Sequence, residues 1–240
     1  MASTKRRRIA LGAAGAAAGL FLIAFALFQV SKARCFTLSG DAVCRVETAE
    51  PMVALTFDDG PTPEGVALAS TVLGRNRAHA TFFLIGGEVG RNEALVRRLL
   101  AEGHEIGNHS FSHVRMIGRS SAFYDAEIAR TDAALRRAGV AAPSLFRPPY
   151  GRKLIGLPDA VARQRYRMIM WDVEDPSGAE TPQAYAEQIL REARPGSIIL
   201  MHIMYRGNRT AREALPLVVR GLRERGFRLV TVSDLLRHRR

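Results

Sequence analysis

The pattern of apolar and polar positions divides the chain in two. Residues 9–30, IALGAAGAAAGLFLIAFALFQV, run for 22 positions without a charge, enough for a helix to cross a bilayer, which takes about 20 residues. From residue 50 onward, short apolar runs alternate with amphipathic stretches at helical spacing. The runs predict strands at 52–57, 80–85, 104–107, 145–146, 168–171, 197–202 and 227–231. Between them lie predicted helices at 64–75, 91–102, 121–138, 159–165, 181–192 and 211–225, with a short final helix capped by Ser233. Gly103, Gly139 and Gly226 close three of them, and Thr181 followed by Pro182 opens another. Repeated strand–helix units mean a mostly parallel sheet. Seven or eight strands in about 200 residues favour a small α/β barrel over an open sheet.

Lys5, Arg6, Arg7 and Arg8 precede the apolar run. By the positive-inside rule, residues 1–8 stay cytoplasmic, 9–30 span the membrane, and the rest is exported. The run is longer than a cleavable signal core, and Phe28-Gln29-Val30 is a poor cleavage site, so a retained anchor is expected over a cleaved signal. Residues 31–49 read as a linker and 50–240 as the folded domain. The only two cysteines, Cys35 and Cys44, fall in that linker. In an oxidising compartment they are expected to form a disulfide rather than stay free.

Composition is that of a globular protein, 47% hydrophobic and 24% charged, which argues against a disordered chain. The formal charge is +12. Half of it comes from the first 35 residues, which hold six basic groups and no acidic ones. The remaining excess is spread along the domain, so no nucleic-acid partner is expected. The folded domain is expected to be monomeric.

Candidate chemistry gathers where the strands end. The first strand runs into Asp58-Asp59-Gly60-Pro61, and the third into Asn108-His109-Ser110-Phe111-Ser112-His113. Further along come Arg147-Pro148-Pro149-Tyr150-Gly151, Trp171-Asp172-Val173-Glu174-Asp175, and His202. Singly, each has a bland reading: a turn, two unrelated histidines, a surface loop, a core histidine. In a barrel, chemistry sits at the carboxyl ends of strands, and five coincident polar ends are hard to explain structurally. Imidazole and carboxylate ligands suit a divalent cation such as Zn²⁺. His109 and His113 can face one point if their segment turns helically, and Asp59 adds a carboxylate. Asp58 is then free as a base, oriented by Arg147, with His202 as an acid, the parts of a hydrolase.

These motifs, in this order, resemble the polysaccharide deacetylase family, also called the NodB-homology domain or carbohydrate esterase family 4. The resemblance covers about residues 50–236. It implies a distorted (β/α) barrel of the NodB-homology type, here preceded by one transmembrane helix. It implies that Asp59, His109 and His113 bind one divalent metal, Zn²⁺ or alternatively Co²⁺, and that Asp58 is the general base, held by Arg147. It also implies Tyr150 N–H at the oxyanion, Trp171 and Leu200 beside the acetyl methyl, and His202 as general acid. The substrate would be an acetylated glycan: chitooligosaccharide, peptidoglycan or exopolysaccharide.

The sequence departs from the family at one place. Glu174 stands where many members have Asp, and Ser177-Gly178 replaces a downstream Asp-Trp pair. If residues 172–175 continue a strand, Asp172 and Glu174 share one side and Asp175 points away. Glu174 is therefore expected to tune His202. An O-acetyl esterase would share every one of these residues and stays open as an alternative. A non-catalytic wall-binding module would be expected to lack a ligand or the base, and neither is missing.

Overall fold

The computed structural model describes residues 2–240, with side chains from Leu11 onward apart from positions 13 and 14. The basic cluster at 5–8, on which the expected cytoplasmic segment rests, lies outside the described side chains. Helix α1 (Ala2–Lys32) contains the one stretch among the described residues, Gly15–Lys32, long and apolar enough to cross a membrane. Leu20, Phe21, Leu22 and Ile23 on it are all exposed.

The domain follows as β1 (Ala42–Val43), β2 (Met52–Asp58), α2 (Pro63–Arg75), β3 (Thr81–Leu84), α3 (Gly86–Val89), α4 (Glu93–Ala101) and β4 (Glu105–Asn108). Next come α5 (Ser121–Arg137), β5 (Leu145–Phe146), a 3₁₀ turn (Pro149–Gly151), α6 (Leu157–Arg163) and β6 (Arg167–Ile169). The chain ends with α7 (Pro182–Glu192), β7 (Ile198–Met201), α8 (Arg209–Glu224), β8 (Arg228–Val230) and α9 (Val232–Arg237). Thr181 caps α7 as expected. Helix α9 is capped by Thr231, which accepts from Asp234 N–H, and not by Ser233.

All eight strands pair in parallel, in the order β1-β6-β5-β4-β3-β2-β7. Strand β2 is the hub. Its first three residues pair with β8, its last three with β3, and its other edge with β7. Strand β1 lies in the segment read as a linker, and a disulfide joins Cys35 to Cys44 just beyond it. The segment is thus stitched to the barrel rather than free.

Strand β2 is buried along its whole length, because helices cover one face and the barrel interior the other. Val53, Leu55 and Phe57 pack outward among Val66, Leu73, Leu215 and Val218. Met52 and Ala54 point inward, with Phe83, Ile169 and Leu200. Successive side chains alternate faces, so Thr56 and Asp58 continue the inward row. That alternation delivers Asp58 to the mouth.

The barrel closes without a full ladder. Val173 bridges to Ile199 and Arg45 to Ser197 as isolated pairs. Val46 N–H donates to the Gly196 carbonyl at 2.9 Å. Gly196 has φ +82°, and a Cβ there would lie 1.8 Å from the Val46 carbonyl oxygen. Only glycine fits, because the conformation is left-handed and the obstacle is backbone. Gly196→Ala is expected to cost at least about 2 kcal/mol and lower Tm by roughly 4–8 °C in calorimetry.

Candidate active site

Every site residue anticipated from the sequence lies in a strand's last turn or the loop that follows it. A cavity of about 380 Å³ is lined by Asp58, Asp59, His109, His113, Tyr150, Gly151, Trp171, Glu174, Asp175, Leu200 and His202. Arg147, completely buried, stands behind it. A larger cavity, about 930 Å³ near Cys35 and Cys44, contains no cluster of three metal-ligand groups among the described residues.

The two histidines converge through a loop, not the helical turn expected of their spacing. Ser110 and His113 have φ of +61° and +54°. Asn108 Oδ1 accepts from Ser110 N–H, and Ser110 Oγ accepts from His113 N–H. Buried Glu127, on α5, accepts from the amides of Phe111 and Ser112 and from the Ser112 hydroxyl. Those bonds offset the backbone strain. Glu127 was not singled out from the sequence. Its one signal there was an acid on the inner face of an amphipathic helix.

Asp59, His109 and His113 offer ligand atoms all within 4.8 Å of one another. Asp59 Oδ1 lies 3.2 Å from His113 Nε2 and is buried with no hydrogen-bond partner. A buried carboxylate oxygen left unpaired is costly unless something electropositive occupies the space beside it. His109 Nδ1 donates to the Arg147 carbonyl at 2.8 Å, which leaves the Nε2 lone pair facing the cluster. Burial, with the neighbouring His109, lowers the proton affinity of His113, so its imidazole is neutral and able to ligate. This donor set fits a borderline divalent cation such as Zn²⁺ or Co²⁺.

Asp58 faces the same space. Arg147 Nη1 donates to Asp58 Oδ1 at 2.7 Å and to Thr56 Oγ1 at 2.8 Å. Burial alone would raise the Asp58 pKa, but the charges of Arg147, His109 and His202 outweigh it and hold the carboxyl below its usual value. Asp58 is therefore an ionised acceptor.

Across the mouth, the partner of His202 is Asp175 and not Glu174. His202 Nδ1 bonds Asp175 Oδ2, and His202 N–H donates to Asp175 Oδ1 at 3.2 Å. The Tyr185 hydroxyl donates to the same carboxylate. The expected alternation fails because β6 ends at Ile169 and only Val173 makes a bridge beyond it. Glu174 instead accepts from Trp171 Nε1 at 2.8 Å and pairs with Arg34 at 3.4 Å. Asp172 accepts from Ser197 Oγ and Ile198 N–H and anchors the start of β7. Burial pushes the His202 pKa down, but Asp175, Asp58 and Asp59 more than reverse this and raise it to about 9.

In cation-free protein, His202 is expected to titrate near pH 9 by NMR. Asp175→Asn removes the counter-charge and should move that titration down by at least about one unit. Glu174→Gln should leave it in place.

Comparison with known proteins identifies the family. Residues 45–169 match the family model described as polysaccharide deacetylase. A peptidoglycan-N-acetylglucosamine deacetylase of Bacillus cereus is 32% identical over 84% of this chain and 95% of its own length. A chitooligosaccharide deacetylase of Sinorhizobium fredii is 34% identical over 67% of this chain and 75% of its own. Among solved structures, a carbohydrate esterase family 4 pseudoenzyme from Bacillus anthracis superposes with a TM-score of 0.76 at 26% identity, covering 85% of this chain and 71% of that one. The family model and the relatives together show that the chain belongs to the polysaccharide deacetylase family.

Proposed function

We propose that the chain is a cation-dependent N-deacetylase of an amino-sugar polymer in the cell envelope. The observation that carries this reading is the buried, unpartnered Asp59 oxygen between His109 and His113, in one cavity with Asp58 and His202. The relatives' substrates, peptidoglycan N-acetylglucosamine and chitooligosaccharide, are of this class.

Asp59, His109 and His113 would hold the cation. When bound, it supplies Lewis acidity to the scissile carbonyl and makes water more acidic. Asp58, kept ionised by Arg147, accepts a proton from the attacking water. Tyr150 has φ +57° in the turn after Pro148 and Pro149, and its amide N–H is assigned to the developing oxyanion. Trp171 and Leu200, both on the cavity wall, enclose the acetyl methyl. His202, protonated through Asp175, gives its proton to the departing amine. One water and one acetamide yield acetate and a free amino sugar.

The likeness to a pseudoenzyme makes the individual residues decisive. A mutant of that protein with restored enzymatic activity superposes equally, with a TM-score of 0.76. Each ligand, the base and the acid are present here, which favours catalysis over a binding module.

Acetate release from peptidoglycan, chitooligosaccharides and acetyl-xylan tests the reading. Release from an N-acetylated glycan should stop on chelation and return with Zn²⁺ or Co²⁺. Undiminished turnover after chelation would refute it. Asp58→Asn should keep cation binding within a fewfold, by calorimetry, while activity falls about 10²–10⁴-fold.

Substrate in the envelope requires export, and α1 supports a retained anchor with the domain outside the cytoplasmic membrane. Tagged full-length protein is expected in the membrane fraction, with its catalytic domain open to external protease. A soluble product beginning near residues 31–36 would show cleavage.

A further inference from the structure

The cleft does not end at the catalytic groups. One wall is built by the chain that leaves α1. Lys153, 1% exposed, donates through Nζ to the carbonyls of Ala33 and Arg34. The Cys35–Cys44 disulfide ties the same segment to β1. These contacts hold residues 32–34 against the barrel mouth. There a second cavity, about 340 Å³, is lined by Lys32, Arg34 and Arg152, and it shares Tyr150, Gly151, Trp171 and Glu174 with the catalytic cavity.

The lining sets three cations against one carboxylate. Glu174 is already engaged by Trp171 and Arg34. Neither Lys32 nor Arg152 has an acidic partner among the described residues; Lys32 sits over the Phe28 ring at 4.1 Å. Tyr150, 56% exposed, adds a flat aromatic face between the two cavities, with the largely buried Trp171 lining both. A sugar ring packs on such a face, while the surplus positive charge favours an anionic substituent.

We propose that this second cavity is a subsite for a carboxylate-bearing sugar, next to the residue whose acetamide reacts, so that the protein selects an acidic N-acetylated glycan over a neutral one. The proposal rests on the deacetylase reading and on retention of residues 31–34. Arg34 and Arg152 are the groups assigned to the carboxylate, and Lys32 lines the same cavity and adds to its positive charge. Segment 31–34 is then part of the substrate site as well as a tether.

Trp171 is the chain's only tryptophan, so its fluorescence reports glycan binding without any need for turnover. Full-length protein in phosphatidylcholine nanodiscs, which carry no net-anionic headgroup, is titrated with three probes. They are tetra-N-acetylchitotetraose, a peptidoglycan tetrasaccharide with free lactyl carboxylates, and the methyl ester of the latter. The acid is expected to bind about 5–10-fold tighter than the other two, with an advantage that shrinks in high salt. Arg34→Gln/Arg152→Gln should bring the ratio of acid to ester affinities near one. Equal affinities in the unaltered protein, or a ratio untouched by the double variant, would overturn the subsite. So would a variant whose only loss is affinity for anionic lipid surfaces, since the cavity would then serve a headgroup. Acetate release, measured separately, decides whether the deacetylase reading stands, so the two can fail independently.

Discussion

The site is organised around one buried guanidinium. Arg147 is completely buried, and its donors reach Thr56 Oγ1, Asp58, and the carbonyls of Ile169 and Met170. Its own carbonyl accepts from His109. One residue thus fixes Asp58 on β2, the end of β6 and the orientation of the His109 ring. It also lies 4.1 Å from the Phe83 ring, which covers its face. Desolvating such a pair is expensive, and removing one partner typically costs about 3–5 kcal/mol because the other charge is stranded. The arrangement persists because every arm of the guanidinium is satisfied. The same pairing has a chemical consequence. It keeps Asp58 ionised but makes it a weaker base, so in the proposed reaction a cation held by Asp59, His109 and His113 would have to supply the acidity of the attacking water.

Much of this was legible in the chain. The strand–helix alternation predicts the parallel α/β sheet that is observed, and β2 declares itself as a run buried on both faces. Asp58, Asp59, His109, His113, Arg147 and His202 share one rim because five strands end there. Three things did not follow from pattern. The short strand β1 carries too little apolar signal to stand out, being held by pairing with β6. The loop joining His109 to His113 depends on two left-handed residues and on a distant carboxylate, Glu127, which spacing cannot reveal. The partner of His202 does not follow from strand alternation because strand geometry stops with β6 at Ile169.

Relatives of this fold include enzymes and a pseudoenzyme, so the barrel itself decides little. What decides is whether a handful of side chains reach the same few ångströms. Here they do so from separate strand ends, and each is braced from behind. Arg147 braces Asp58 and His109, Glu127 braces the His113 loop, and Asp175 with Tyr185 braces His202. In the proposed reaction such bracing would keep these side chains in place with little reorganisation.

The acidic cluster after β6 shows how little sequence proximity says about role. Asp172, Glu174 and Asp175 are nearly adjacent, yet each serves a different element. Asp172 receives the first amide of β7 and the Ser197 hydroxyl, securing the strand that leads to His202. Glu174 reaches outward, holding the Trp171 indole and the Arg34 guanidinium, and so joins the cavity wall to the chain leaving α1. Asp175 turns inward to the His202 ring and amide. Three carboxylates crowded on one side would repel one another and raise each other's pKa. Spread over three directions, each has its own donors. Irregular backbone is what permits this, since a regular strand offers only two faces. The departure from strand geometry after Ile169 is therefore what lets one short segment support the strand seam, the cleft wall and the His202 ring together.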